Sequence, residues 1–151
     1  ALSSAASDVY KRQVIMVGTM PENITIPTNM LCVGTIREPE LLAKYYAMVD
    51  VFLNPSVQET FGKTTAEAIC CGTPVVAYNT TACTELVGEM CGKTARLGDQ
   101  MGFLKAVKEV LQKEKIDYEP ALQKFSRENF KMSVNLDEYL CLIKDLKGDN
   151  R

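Results

Sequence analysis

The chain has 151 residues, of which 46% are hydrophobic and 24% are charged, and its formal net charge is −2. These values are ordinary for one globular domain, and they exclude the strongly basic surface of a nucleic-acid-binding protein, so we expect no nucleic-acid partner. The chain has no histidine, which excludes Ser-His-Asp and Cys-His catalysis and every histidine-ligated metal site within it.

The first 13 residues are rich in Ala and Ser and have no apolar periodicity. Residues 4–13 resemble a translated sequencing adapter, and a natural disordered leader is the alternative. We therefore expect a non-native or disordered leader at residues 1–13, a partial nucleotide-sugar-binding domain at 14–147 and a tail at 148–151.

Short apolar segments predict β-strands that are buried on both faces of a parallel sheet. These strands are expected at residues 14–17, 30–33, 51–54 and 75–78, with a short edge strand at 93–96. Helical spacing of apolar residues predicts the intervening and following helices. The helices are expected at residues 38–50, 63–71, 84–88, 101–111, 120–130 and 136–146.

Alternation of strands and helices, followed by helices alone, predicts an α/β fold: a doubly wound, Rossmann-like parallel sheet with helices closing the C-terminus. In such sheets the ligand crevice lies beyond the carboxyl ends of the strands. The loops after Gly18, Gly34, Asn54 and Tyr78 are expected to open there.

Six cysteines are spread along the chain without a C-x-x-C pair. We interpret them as reduced, small core residues of a cytoplasmic protein, with a disulfide framework as the less favoured alternative. No apolar run approaches the roughly 18 residues that a membrane-spanning helix needs.

Two glutamates, Glu59 and Glu67, frame a turn at Gly62 and the predicted start of a helix. A strand that enters a glycine-containing loop and then a helix exposes backbone N–H groups at the positive end of the helix dipole. Two acids beside such an anion site indicate a ligand with both a phosphate and hydroxyl groups, which is the chemistry of a nucleotide sugar. The alternative is purely structural: Thr64 and Glu67 form a capping box, and Glu59 is a solvated loop acid.

The order of motifs through this region resembles the carboxyl-terminal, donor-binding domain of the retaining family-4 glycosyltransferases (glycosyl transferases group 1), which have the two-domain GT-B architecture. The resemblance rests on Asn54-Pro55-Ser56, Glu59-Thr60-Phe61-Gly62, Glu67-Ala68 and the Cys-Gly-Thr-Pro-Val-Val-Ala run at 71–77. It extends over residues 14–146 and is most specific between residues 51 and 87.

The resemblance implies a role for each acid of the E-x7-E motif. Glu59 would lie against the transferred sugar as the catalytic residue, and Glu67 would hold the ribose through its 2- and 3-hydroxyls. The backbone N–H groups of Phe61, Gly62 and Lys63 would face the donor phosphates.

Further donor contacts are implied outside this motif. Arg37, beside Ile36, would lie over the base, and Thr81, with Thr80 and Thr84, would contact the donor at the rim.

The function implied is transfer of a hexose from a UDP-, GDP- or ADP-sugar to a glycan or lipid-linked acceptor. No metal is expected because no Asp-x-Asp site appears, and the donor is a substrate rather than a cofactor. The family's acceptor-binding amino-terminal domain and its phosphate-neutralising basic residues are missing from the sequence, so the fragment alone is expected to be inactive.

Three points stay open at the level of sequence. A GT-B nucleotide-sugar 2-epimerase is one alternative function, and a non-catalytic nucleotide- or partner-binding α/β module is the other. Peripheral contact of the full-length protein with a membrane is compatible with the resemblance but not required by it.

Overall fold

The computed structural model describes residues 12–20, 23–88 and 90–131. The chain divides into two compact units, residues 1–42 and residues 43–151. The predicted last helix, at 136–146, lies outside the described residues.

The first unit contains a two-stranded parallel sheet. Strand β1 (Val14–Met16) pairs with β2 (Met30–Cys32), and Val14 lies opposite Met30. Helix α1 (Pro39–Met48) begins in this unit and continues into the second. Its proline occupies the first turn, where the missing N–H costs no hydrogen bond.

The second unit is built on a three-stranded parallel sheet in the order β3-β4-β5, comprising β3 (Phe52–Asn54), β4 (Val75–Tyr78) and β5 (Gly92–Ala95). A glycine opens β5 because a Cβ at Gly92 would come within 1.8 Å of the Val75 carbonyl oxygen. The strand predicted at 93–96 is confirmed, shifted by one residue.

In the described part of the second unit, α2 (Lys63–Cys70) lies between β3 and β4, α3 (Thr81–Val87) lies between β4 and β5, and α4 (Gln100–Val110) and α5 (Lys115–Asn129) follow β5. Val75, Val76 and Ala77 of the central strand are fully buried. Ile69 of α2 and Leu122 of α5 complete this core. Parallel strands alternating with helices confirm the predicted α/β class and place the start of α2 beyond the carboxyl end of β3.

Two helices begin three or more residues earlier than the sequence predicted. Helix α3 starts at Thr81 rather than at residue 84, with Thr80 as its N-cap. Helix α5 starts at Lys115 rather than at residue 120, because Glu114 and Asp117 form a capping box and Pro120 is accommodated inside the helix. The error came from treating that proline as a start signal when an acidic cap precedes it.

Candidate functional site

The start of helix α2 is shaped by Gly62. This residue is the N-cap, has φ 75° and ψ 47°, and carries no side-chain cap. A Cβ at Gly62 would lie 2.8 Å from Leu86 Cδ1. Both the left-handed backbone and the close contact therefore require glycine at this position.

The predicted capping box at this helix is wrong. The helix starts one residue before Thr64, so Glu67 lies too far along it to reach back to the cap. Among the described residues, no acceptor is found for the backbone N–H groups of Phe61, Gly62 or Lys63. Phe61 and Lys63 are exposed, whereas Gly62 is buried. Unpaired backbone N–H groups at a helix start are common anion ligands in proteins.

Glu59 lies half-buried in the loop between β3 and α2, and Thr81 holds its backbone. The Thr81 hydroxyl donates a hydrogen bond to the Glu59 carbonyl oxygen and accepts one from the Glu59 N–H at 3.3 Å. Thr81 was predicted as a rim contact for the donor; the structure places its hydroxyl on the loop that carries Glu59.

Asn54, at the carboxyl end of β3, also forms hydrogen bonds with this loop. Its side chain is 4% exposed, and its amide nitrogen lies 2.9 Å from Thr65 Oγ1 and 3.5 Å from Glu59 Oε1. Its amide oxygen accepts the Ser56 N–H at 3.1 Å. The sequence identified Asn54 only as part of a motif. Its contacts with Thr65 and Glu59 cannot be inferred from spacing alone, because they form only when the chain folds.

Glu59 also influences a buried thiol in this region. Burial, and then the charge of Glu59, raise the pKa of Cys83. The asparagine amide also lies 3.7 Å from the sulfur of Cys83. Glu59, the first acid of the motif, therefore lies next to a buried cluster formed by Asn54, Thr65 and Cys83.

Glu67 lies in the second turn of α2 and uses both carboxylate oxygens. Oε2 accepts a hydrogen bond from the Tyr46 hydroxyl at 3.1 Å, and Oε1 lies 3.7 Å from Lys63 Nζ. Burial, and then the bond to Glu67, raise the pKa of Tyr46. The Glu67 carboxylate is therefore held by a tyrosine 21 residues earlier in the chain, which no sequence spacing indicated.

The remaining predicted residues differ in their surroundings. Phe61 is 56% exposed, and its ring packs edge-to-face on Phe130 with 6.4 Å between centroids. Thr84 Oγ1 donates to Asn79 Oδ1 at 2.5 Å. Arg37 is exposed and belongs to the first unit, whereas both acids belong to the second.

An open depression of about 450 Å³ lies at the other end of α2. Cys71 and Gly72, just past the helix end, and Lys115 at the start of α5 contribute to its walls. Lys115 donates to the Val49 carbonyl oxygen at 2.9 Å, and burial lowers its pKa. This depression is separate from the helix start and contains neither acid of the motif.

The cysteines only partly follow the prediction. Cys83 and Cys91 are buried, but Cys70 is exposed at the end of α2, so its assignment to the core is wrong. The direction of a side chain on a helix is set by the helical period, not by its hydrophobicity, and the Cys70 side chain at the end of α2 points outward. The five cysteines within the described ranges are all free thiols.

The described part of the chain has neither a metal-binding cluster nor a helix that could span a membrane. No group of three or more His, Cys, Asp or Glu side chains is placed there to hold a metal ion. No helix there is both long and apolar enough to cross a membrane.

Comparison with known proteins gives a family match: the family described as "Glycosyl transferases group 1" matches residues 2–113 of the chain. Over 62 residues the chain is 39% identical to the GDP-mannose-dependent alpha-(1-6)-phosphatidylinositol dimannoside mannosyltransferase of Mycobacterium tuberculosis, covering 41% of this chain and 16% of that protein. Over 94 residues it is 33% identical to the GDP-mannose-dependent alpha-mannosyltransferase of Mycolicibacterium smegmatis, covering 60% of this chain and 24% of that protein. The chain thus spans about a quarter or less of the length of these relatives.

Among solved structures, HepE from Anabaena shares the fold. In complex with UDP it superimposes with a TM-score of 0.72 at 19% identity, over 89% of this chain and 41% of HepE. In complex with UDP-glucose the TM-score is 0.64, also at 19% identity. This likeness confirms the Rossmann-like architecture.

Proposed function

The chain belongs to the glycosyl transferases group 1 family, and on that premise we propose that it forms the donor-binding part of a retaining glycosyltransferase that moves a hexose from a nucleotide sugar to a glycan or lipid-linked acceptor. The observation that carries the proposal is the row of N–H groups at Phe61, Gly62 and Lys63, which have no acceptor within the described part of the chain, with hydrogen-bonded carboxylates before and after it in the sequence. Such a row binds a diphosphate, and ionised carboxylates accept hydrogen bonds from hydroxyls.

Each residue has a proposed part in donor binding. Glu59 faces the transferred sugar, and its loop is held by Thr81 and Asn54. Glu67 takes the ribose hydroxyls. The backbone N–H groups at the start of α2 take the diphosphate, while Lys63 adds an exposed positive charge near it.

Arg37 is proposed to lie over the base. Thr81 is proposed to contribute to the rim of the donor site by holding the backbone of Glu59. We propose GDP-mannose as the first donor to test, because the names of both curated relatives specify GDP-mannose. Their names also specify transfer, which supports a transferase over the epimerase alternative.

Acceptor binding is proposed to reside in a separate amino-terminal domain of the full-length protein, acting at the cytoplasmic side. A lipid-linked acceptor is supported by the phosphatidylinositol dimannoside in the name of one relative. We propose a metal-independent reaction, which predicts equal turnover of the full-length protein with and without EDTA.

Calorimetry with GDP, UDP and ADP tests donor binding by the 151-residue chain. We expect binding of GDP that is weakened by Glu67→Gln and unaffected by Glu85→Gln, a matched change at an exposed position on α3. A chain that binds none of the three nucleotides contradicts the proposed function.

A further inference from the structure

Tyr46 is held in one position by its surroundings. The residue is 8% exposed, and its ring packs edge-to-face on Phe52 with 5.4 Å between centroids and 78° between planes. A ring fixed in this way presents its hydroxyl at one point. That point is 3.1 Å from Glu67 Oε2.

The second oxygen of Glu67 is held much more loosely. Its neighbour is Lys63, whose side chain is 84% exposed, and the two atoms are 3.7 Å apart. Exposed pairs of this kind contribute little and exchange readily with solvent. The Glu67 side chain itself remains 32% exposed, so a ligand hydroxyl can reach the Oε1 side.

We propose that Tyr46 is a positioning residue for ribose recognition: its hydroxyl fixes the Glu67 carboxylate so that Oε1 meets the sugar hydroxyls of the nucleotide. This role rests on the proposed function, since it requires a nucleotide at the start of α2. Glu67 has several side-chain torsions, and a tethered carboxylate loses less freedom when the ligand binds. Tyr46 makes this contribution without touching the ligand.

The protonation state of Tyr46 is consistent with this role. Burial and the neighbouring carboxylate raise the pKa of Tyr46, so the hydroxyl keeps its proton and remains a donor. A neutral donor bonded to an ionised acceptor makes one of the stronger side-chain hydrogen bonds.

The test compares GDP with 2′,3′-dideoxy-GDP, which lacks both ribose hydroxyls, by calorimetry on the 151-residue chain. Tyr46→Phe keeps the ring and removes only the hydroxyl. We expect it to weaken GDP binding about three- to tenfold and to leave dideoxy-GDP binding unchanged. Tyr45→Phe is the matched control, because the neighbouring Tyr45 makes no hydrogen bond among the described residues.

A second variant keeps the test valid if Tyr46→Phe fails to fold. Phe52→Leu removes the edge-to-face ring contact that fixes Tyr46 but leaves the hydroxyl and Glu67 in place, so it should also weaken GDP binding and leave dideoxy-GDP binding unchanged. If Tyr46→Phe folds, adding Phe52→Leu to it should cause no further loss of GDP affinity, because the hydroxyl that the ring positions is already absent.

The outcomes separate this role from the proposed function. Equal losses for both nucleotides, or no loss, in a chain whose wild type binds GDP would show that Tyr46 is only structural and would overturn the role alone. A wild-type chain that binds neither nucleotide would overturn the proposed function, and the positioning role with it.

Discussion

The hydroxyl of Thr81 is hydrogen-bonded to both the N–H and the carbonyl oxygen of Glu59, 22 residues earlier in the chain. Thr81 is the first residue of α3 and adopts φ 28°, a backbone conformation that β-branched residues rarely occupy. This contact joins the loop after β3 to the helix after β4, and so fixes the loop that presents the proposed catalytic acid.

Thr81→Val should release this loop. The change keeps the shape of the side chain and removes the hydroxyl, so we expect the free energy of unfolding to fall by about 1 kcal/mol. Thr81→Ser retains the hydroxyl and should restore most of it. Urea denaturation followed by circular dichroism measures both, with Thr64→Val as the control because the Thr64 side chain is exposed and makes no hydrogen bond among the described residues. Equal stabilities for the valine and serine variants at position 81 would contradict this account.

Gly62→Ala should be more destabilising than a glycine replacement that strains only the backbone. Gly72 has the same φ of 75° but open space where a Cβ would stand, whereas at Gly62 that Cβ would meet Leu86 at 2.8 Å. We expect Gly72→Ala to cost about 1 kcal/mol, and Gly62→Ala to cost more. In a Leu86→Ala background, Gly62→Ala should cost less than it does in the wild type, because the clash with Leu86 Cδ1 is gone.

The stabilities of these variants follow from thermal and urea unfolding curves. Equal costs at the two glycines would show that Leu86 moves aside freely and that the start of α2 is not fixed by packing.

The sequence predicted the parts of the site that depend on local rules. The apolar run at 75–78 identified the central strand, and Gly62 before a helical segment identified the start of α2. It did not predict which groups hold the two acids, because the partners are distant along the chain. Tyr46 reaches Glu67 and Thr81 reaches Glu59 only once the strands and helices have packed.

The structure also predicts loss of stability in alkaline solution. Cys91 is 1% exposed, and burial raises its pKa from 9.0 to about 11. The folded state therefore favours the neutral thiol, so its contribution is complete below pH 9 and is lost as the pH rises towards 11. Within that interval one such group changes the free energy of unfolding by up to about 1.4 kcal/mol per pH unit.

Urea unfolding at pH 7, 9 and 10 measures this dependence. Burial raises the pKa of Tyr46, Cys71 and Cys83 as well. The free energy of unfolding of the wild type should therefore fall more steeply with pH than the ionisation of Cys91 alone would cause. Cys91→Ala should lower stability at pH 7 because it leaves a cavity, but should make the decline with pH shallower. Cys32→Ala, a change in the first unit, should leave the decline unchanged. A Cys91→Ala curve parallel to the wild-type curve would contradict the assignment.

The most direct test of the central claim is a titration of the isotope-labelled chain with GDP, followed by the backbone amide resonances in two-dimensional NMR. The account predicts that the amides of Phe61, Gly62 and Lys63 shift together and saturate, because their N–H groups receive the diphosphate. Shifts confined to Cys71, Gly72 and Lys115, around the depression at the other end of α2, would contradict it.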